Sequence, residues 1–209
     1  MKEQTFQTTA SVKEDIEWLR VWCENTNASA RRVLLIGDSI TENYQALVRE
    51  KLADIAAVDY IAASYSVRSE FYRRTVPLLA RDSQYALIQF NFGLQAFGLN
   101  AAEYESGCRE IIAELVKTSR VAVATSTVVL DGAGGEDALW SGKLRERNAA
   151  LKALAQEFGL PVNDLGELSR TIPQSMHLDN VHYLPEGNEI LGNRTAQFLR
   201  GILESEKAD

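Results

Sequence analysis

The stretch that decides the fold is VLLIGDSIT, residues 33–41. Its first four residues form a continuous apolar run, which is typical of a strand buried on both faces of a parallel sheet. Gly37 ends the run, and a helical pattern follows over residues 42–52. A buried strand that leads into a helix is the first half of a βαβ unit. The stretch therefore predicts an α/β fold.

The remainder of the chain repeats this alternation. Short apolar runs predict four further strands, at residues 58–62, 85–90, 121–125 and from residue 161. Helical periodicity predicts further helices over residues 69–80, 101–118, 142–158 and 185–203. Strands that alternate with helices of this length predict a parallel sheet with helices on both faces.

The residues before the first strand predict an additional helix. Apolar side chains recur at helical spacing over residues 11–25, and Ser11 with Glu14 fits a capping box. We expect one domain over residues 1–209, in which residues 1–30 form an N-terminal helical extension.

Composition restricts the class of protein. The chain has 209 residues, of which 45% are hydrophobic, enough for one sizeable core. It has 22 basic and 29 acidic residues, a formal charge of −7, which weighs against nucleic acid as a partner. Residues 1–10 lack an apolar signal region and no run approaches a membrane span, so we expect a cytoplasmic protein without membrane contact. Cys23 and Cys108 have no metal or redox spacing and are expected to be free thiols, with a single long-range disulfide as the alternative.

Ser39 occupies a position at which ligands bind in open α/β sheets. It follows the first strand directly, and ligands bind beyond the carboxyl ends of strands. N–H groups at the start of the next helix can stabilise an oxyanion. Two interpretations are open: Ser39 is a nucleophile, or Ser39 or Asp38 merely caps the helix.

A histidine and an acid lie close together before the last helix. The chain contains two histidines, His177 and His182, and Asp179 precedes His182 by three residues. A serine hydrolase needs an imidazole as general base and an acid to orient it. The alternative is a surface loop whose polar side chains cap the last helix.

Together, the two segments resemble those of a known family. GDSIT at 37–41, with DNVHYLPEGN at 179–188, is similar to the first and last motifs of the SGNH (GDSL-type) hydrolase superfamily. The resemblance covers almost the whole chain, because these motifs bracket the predicted sheet. It implies a flavodoxin-like three-layer α/β/α sandwich with a mostly parallel five-stranded sheet. It also implies ester hydrolysis with Ser39 as nucleophile, His182 as base and Asp179 as orienting acid.

The resemblance further implies an oxyanion hole with three donors, of which the N–H of Ser39 is one. The family's second donor is the N–H of a glycine after the second strand, where Arg68 is the expected replacement without the backbone freedom of glycine. The third is an asparagine side chain after the third strand. Here residues 91–95 are NFGLQ, similar to a branch of the family with NNGLH. Asn91 is the expected donor, although strict alignment places Gly93 at the asparagine and the Gln95 amide is an alternative.

Four further residues are candidates to line the pocket: Asp38, Gln95, Trp140 and His177. The alternatives are helix capping for Asp38 and a position at the rim for His177. We expect no metal, because two histidines around one aspartate do not make a ligand set. No glycine-rich phosphate loop is present, so we expect no cofactor.

The sequence therefore predicts a serine esterase for small acyl esters, with acetyl esters of carbohydrates as the expected class by family analogy. Its partner would be a small-molecule ester. One alternative is a protein of the same fold that binds a carbohydrate or acyl ligand with a weakened or inactive site. Another is a nucleotide or flavin binder. The oligomeric state is open, with a homodimer as one alternative.

Overall fold

Apolar runs form the central sheet of the computed structural model, which describes residues 16–24, 31–95 and 97–205. Its six strands are β1 (Leu19–Trp22), β2 (Arg32–Gly37), β3 (Ala57–Ala63), β4 (Leu87–Asn91), β5 (Arg120–Ala124) and β6 (Val162–Asn163). The strand order is β1-β3-β2-β4-β5-β6, and every neighbouring pair is parallel except β1 with β3. The predicted α/β fold with a mostly parallel sheet is confirmed.

Helices cover both faces of this sheet. They are α1 (Ser39–Leu52), α2 (Glu70–Ala80), α3 (Ala101–Leu115), α4 (Ala138–Phe158), α5 (Leu165–Ser169) and α6 (Pro185–Ser205), with a 3₁₀ turn at Gln174–Met176. Apolar side chains of α1 and α6 share one hydrophobic cluster with one face of the sheet. Those of α2, α3 and α4 share a second cluster with the opposite face. This is the predicted three-layer arrangement.

The expected N-terminal helix is wrong where the structure describes it. Leu19–Trp22 is a strand that pairs antiparallel with β3, Leu19 opposite Ala63 and Trp22 opposite Tyr60. Among the described residues the sheet therefore has six strands, one more than the predicted five. Helical spacing of a few apolar side chains could not reveal this, because the free edge of β3 supplies the pairing partner. The Ser11–Glu14 capping box lies outside the described residues.

The topology brings one strand end to the centre of the molecule. β2 pairs with β3 on one side and with β4 on the other. The connection from β2 to β3 therefore runs to one side of β2, and the connection from β3 to β4 returns to the other side. Such a switch point opens a crevice at the carboxyl ends of the strands. Gly37 ends β2 and Ser39 begins α1, so the predicted nucleophile lies at this crevice.

At the opposite, amino end of the sheet, a buried ion pair joins two strands. Arg32 begins β2, and its Nη2 lies 2.6 Å from Oδ2 of Asp59 in β3. Asp59 also accepts hydrogen bonds from the Glu24 N–H and the Tyr85 hydroxyl. This cluster fixes the relative position of the strands that carry the site at their other end.

Both cysteines are free, Cys23 at the surface and Cys108 in the core. Within the described ranges, no helix combines the length and the apolar character that a membrane span requires.

Candidate active site

A tight turn from strand to helix presents Ser39. The carboxylate of Asp38 caps α1, with Oδ1 accepting the Ile40 N–H at 3.0 Å. A Cβ on Gly37 would lie 2.0 Å from Oγ1 of Thr41 and 2.7 Å from its Cβ, so the strand end can approach the helix only as glycine. Asp38 is the cap of this helix, so the hydroxyl of Ser39 is not needed for capping and can bind another partner.

That partner is His182, which lies 143 positions further along the chain. The Ser39 Oγ is 2.9 Å from His182 Nε2, and His182 Nδ1 is 2.8 Å from Asp179 Oδ2. A carboxylate can only accept a hydrogen bond, so Nδ1 carries the proton and Nε2 accepts from the serine hydroxyl. The structure thus brings together the three residues that the sequence selects as nucleophile, base and acid.

Acid and base share one short closed loop. Oδ1 of Asp179 accepts the N–H groups of Val181 and His182, each at 2.7 Å. The Leu178 N–H donates to the His182 carbonyl at 2.9 Å. The spacing of three residues therefore lets one carboxylate fold the loop with one oxygen and orient the imidazole with the other.

The hydrogen bonds to Asp179 keep its carboxyl group ionised. Partial burial favours the neutral form, but the N–H of His182, its ring and the Val181 N–H outweigh burial and lower the pKa of Asp179 to about 2. At neutral pH the imidazole of His182 therefore faces a full negative charge.

Asp38 has a different environment from Asp179. Its side chain is buried, and burial raises the pKa of Asp38 although the N–H groups at the start of α1 lower it in part. Because its carboxyl group is buried, Asp38 supports the site by capping the helix that begins with Ser39. Its place in the substrate pocket stays a prediction.

The two predicted oxyanion donors outside α1 already have intramolecular partners. The Arg68 N–H donates to Ser66 Oγ at 3.1 Å, and the Arg68 guanidinium binds Glu103. The Asn91 amide donates to the Ala124 carbonyl at 2.7 Å. As donors to an oxyanion, Arg68 and Asn91 stay predictions. The N–H of Ser39 belongs to the first turn of α1 and has no acceptor within the helix.

The other pocket candidates lie in segments at the carboxyl edge of the sheet. Gln95 is half-buried in the loop after β4. The Trp140 ring packs edge-on against Phe97 at 4.8 Å between centroids. The His177 ring packs on Tyr183 at 4.3 Å, and burial lowers the pKa of His177 against the opposing charge of Asp179. Whether Gln95, Trp140 or His177 contacts substrate stays a prediction.

The sequence did not predict how two residues of α4 hold the neighbouring loops. Arg147 is 1% exposed and donates to the carbonyl groups of Gly93 and Leu99, at 2.7 and 2.8 Å. Asn148 binds both the N–H and the carbonyl of Ser126, at 2.8 and 2.9 Å. One signal was available, because Arg147 stands at core-facing spacing from the leucines around it.

The described part of the chain contains no cluster of three His, Cys, Asp or Glu side chains that could hold a metal ion. A groove of about 670 Å³ lies between α2 and α3, lined by Arg73, Leu78 and Glu110 among others. It does not include any residue of the triad.

Comparison with known proteins supports the fold. No family model and no curated protein matches the chain. Solved structures do match: a carbohydrate esterase family 3 protein from Talaromyces cellulolyticus has a TM-score of 0.69 at 15% identity, over 84% of this chain and 99% of that one. A lipolytic G-D-S-L family protein from Veillonella parvula has a TM-score of 0.65 at 21% identity, over 80% and 97%. Est24, a carbohydrate acetylesterase from Sinorhizobium meliloti, has a TM-score of 0.67 at 16% identity, over 82% and 99%. The chain has the fold of the SGNH hydrolases, as the sequence motifs predict.

Proposed function

We propose that the protein is a serine esterase that hydrolyses small acyl esters through an acyl-enzyme on Ser39. One observation carries the proposal: an unbroken hydrogen-bonded array from the Ser39 hydroxyl through His182 to Asp179, with distances of 2.9 and 2.8 Å. An array of this geometry activates a serine that is otherwise a weak nucleophile.

The first half of the reaction forms the acyl-enzyme. Oγ of Ser39 attacks the ester carbonyl carbon while Nε2 of His182 accepts the hydroxyl proton. The tetrahedral intermediate then collapses, the bond between the carbonyl carbon and the alcohol oxygen breaks, and His182 returns its proton to the departing alcohol. The carboxylate of Asp179 stabilises the imidazolium between these steps.

The second half releases the acid. Water gives a proton to His182 and attacks the acyl-enzyme carbonyl, and collapse of the second intermediate returns the proton to Oγ of Ser39. In both halves the negative charge develops beside the start of α1, where the helix dipole and the Ser39 N–H favour it.

For the substrate class we propose acetyl esters of carbohydrates or other small alcohols. The support is analogy alone, since structures of the same fold include a carbohydrate esterase and a carbohydrate acetylesterase. Fold does not determine substrate, so this part of the proposal is separable from the reaction class.

The test is steady-state hydrolysis of p-nitrophenyl acetate, butyrate and octanoate at about pH 8. Ser39→Ala and His182→Ala are each expected to lower kcat by about 10⁴-fold or more, as in other triads. Ser205→Ala is the matched control, because Ser205 is exposed at the far end of α6. Acetate is expected to be the best substrate of the three. Full activity in Ser39→Ala would contradict the proposal.

A second candidate is a binding protein of the same fold, because Arg68 and Asn91 are engaged with other partners. It predicts saturable calorimetric binding of an acetylated xylo-oligosaccharide together with no turnover of any ester. Ser39-dependent hydrolysis would exclude it.

A further inference from the structure

We infer that the main chain after β4 supplies donors to the oxyanion: the N–H groups of Gly93 and Leu94, held in position by Arg147. The inference rests on the proposed function, since it concerns the charge that develops when Ser39 attacks an ester.

The carbonyl groups of this segment point towards α3 and α4. The hydroxyl of Tyr104, in α3, donates to the Phe92 carbonyl. Arg147, in α4, donates from Nη1 to the Gly93 carbonyl at 2.7 Å. In a trans peptide the C=O and the N–H point in opposite directions, and no described peptide bond is cis. The N–H groups of Gly93 and Leu94 therefore point away from α3 and α4.

The opposite side is the side of the nucleophile. Phe92 packs in the cluster beneath α2, α3 and α4, whereas Leu94 packs against the cluster beneath α1 and α6. Leu94 also lies next to Asp38 and Ile40, the two neighbours of Ser39 in the chain, around a gap too narrow for a water molecule. The segment thus crosses the edge of the sheet beside the start of α1.

These two N–H groups are available for a ligand. Neither donates to an acceptor in residues 16–24, 31–95 or 97–205. Successive N–H groups that face the same side form a site for negative charge. Fixed dipoles of this kind stabilise an oxyanion without having to reorganise during the reaction.

A side chain at position 93 would be crowded by Ser126, and glycine offers only its main-chain groups there. A Cβ on Gly93 would lie 1.9 Å from Oγ of Ser126 and 3.0 Å from its Cβ. Asn148 fixes the main chain of Ser126 by binding both its N–H and its carbonyl group, so a side chain at position 93 would require the Ser126 hydroxyl to turn away. At this position of the crevice the donor has to be the main chain.

Arg147 is the positioning residue of this arrangement. Its Nη1 bonds the carbonyls of Gly93 and Gln95, at 2.7 and 3.1 Å, and its Nη2 bonds that of Leu99 at 2.8 Å. A planar fork can hold several carbonyl groups at fixed angles, which the single ammonium group of lysine cannot do. The direction of the Leu94 N–H is therefore set by Arg147 through the Gly93 peptide.

The direct test replaces Leu94 by the corresponding α-hydroxy acid, so that an ester oxygen takes the place of the N–H. We expect kcat for p-nitrophenyl acetate to fall about 10²- to 10³-fold with little change in KM, as on removal of one oxyanion-hole donor. The same replacement at Gly98 is the control. Gly98 lies exposed in the same loop with open space around it, and its replacement is expected to leave kcat unchanged.

A second set of variants tests the role of Arg147. Arg147→Met is expected to lower kcat by a similar factor with KM retained, and Arg147→Lys is expected to restore only a small part of it. Combined with the Leu94 ester, Arg147→Met is expected to add little further loss, because both changes remove the same interaction. Rates are normalised to the folded fraction from thermal melting, so that a merely structural role would leave normalised kcat unchanged.

The outcomes separate the inference from the proposed function. A Leu94 ester with wild-type kcat overturns the inference. So does a 10²- to 10³-fold loss of kcat in an ester at Arg68 when the ester at Leu94 shows no such loss. A wild-type protein without Ser39-dependent turnover overturns the proposed function, and the inference falls with it.

Discussion

At the scale of single residues, the neighbours Asp38 and Ser39 have different roles at the start of α1. Asp38 caps the helix through Oδ1, and the hydroxyl of Ser39 is directed to His182. The sequence alone does not decide which of the two residues caps the helix. The structure shows that Asp38 is the cap and that Ser39 is hydrogen-bonded to His182.

Asp38 gives a prediction for stability. Burial raises its pKa above the ordinary value of 3.8, so its contribution to stability is largest below about pH 4 and is lost as the pH rises through the folded-state pKa. We expect Asp38→Asn to match or exceed the wild type in free energy of unfolding at pH 7, with that advantage shrinking towards pH 4.

Asp38→Ala is the comparison for this prediction. It removes the cap as well as the charge, at a cost of about 1 kcal/mol relative to Asp38→Asn. Urea unfolding of the three proteins at pH 4 and pH 7 measures both effects. A pH-independent difference between wild type and Asp38→Asn would show that the buried carboxyl group is not the cause.

Asp179 gives a prediction with the opposite sign. Its pKa is lowered to about 2, so its contribution to stability is present above about pH 4 and is lost as the pH falls towards 2. Carboxyl ¹³C chemical shifts followed by NMR are expected to show Asp179 titrating near pH 2. A midpoint near 4 would mean that the loop around His182 is not closed in solution.

Asp179→Asn separates charge from shape in the same loop. The amide can still accept the two backbone N–H groups, but its NH₂ then faces Nδ1 of His182 and favours the wrong tautomer. We expect kcat to fall by about 10⁴-fold with KM retained, as in other triads. A loss below tenfold would indicate that His182 does not depend on this carboxylate.

At the scale of elements, the strands that the sequence predicts best are those with continuous apolar runs. β2, β3, β4 and β5 follow their runs to within about two residues, because burial on both faces leaves little choice of side chain. β1 was missed because it is short, lies at the edge and is defined by its pairing with β3. Helical periodicity predicts that α1 begins at residue 42, whereas it begins at Ser39. The earlier start depends on Asp38 as the cap and on the close approach of Gly37 to Thr41, which periodicity does not reveal.

Helix α4 shows why parts of the site could not be predicted. Its periodicity places Arg147 on the core-facing side of the helix, but nothing in the sequence says that this side chain binds the carbonyl groups of a distant loop. Alignment with the family's motifs selects the Arg68 N–H and the Asn91 side chain as donors. Every residue except proline carries a main-chain N–H, so the sequence alone does not indicate which other N–H groups face the nucleophile.

The ion pair between β2 and β3 gives a prediction at this scale. Asp59→Ala leaves the Arg32 guanidinium buried without its carboxylate, and removing one partner of a buried pair costs about 3–5 kcal/mol. Because the pair lies at the amino end of the sheet, kcat is expected to be unchanged at a temperature at which the variant is folded.

The matched control for this pair is Glu114→Ala, which removes exposed ion pairs with Arg81 and Lys117. Exposed ion pairs contribute little to stability because water screens them, so this variant is expected to unfold almost as the wild type does. Equal unfolding curves for Asp59→Ala and Glu114→Ala would contradict the role given to the buried pair.

At the scale of the whole molecule, strand order turns a local sequence motif into a site. Residues 37–41 and 179–188 lie far apart in the chain, and they meet because β2 occupies the middle of the sheet and α6 packs beside α1. The alternation of strands and helices predicts the sheet. The resemblance of the two segments to family motifs predicts which residues at the carboxyl end of the sheet form the active site.

Covalent labelling with a fluorophosphonate, followed by peptide mass mapping, tests most directly whether this meeting point makes Ser39 a nucleophile. We expect one equivalent of label on Ser39 in the wild type and almost none at equal times in His182→Ala. Absence of label from the folded wild type, or label on another residue, would contradict this expectation.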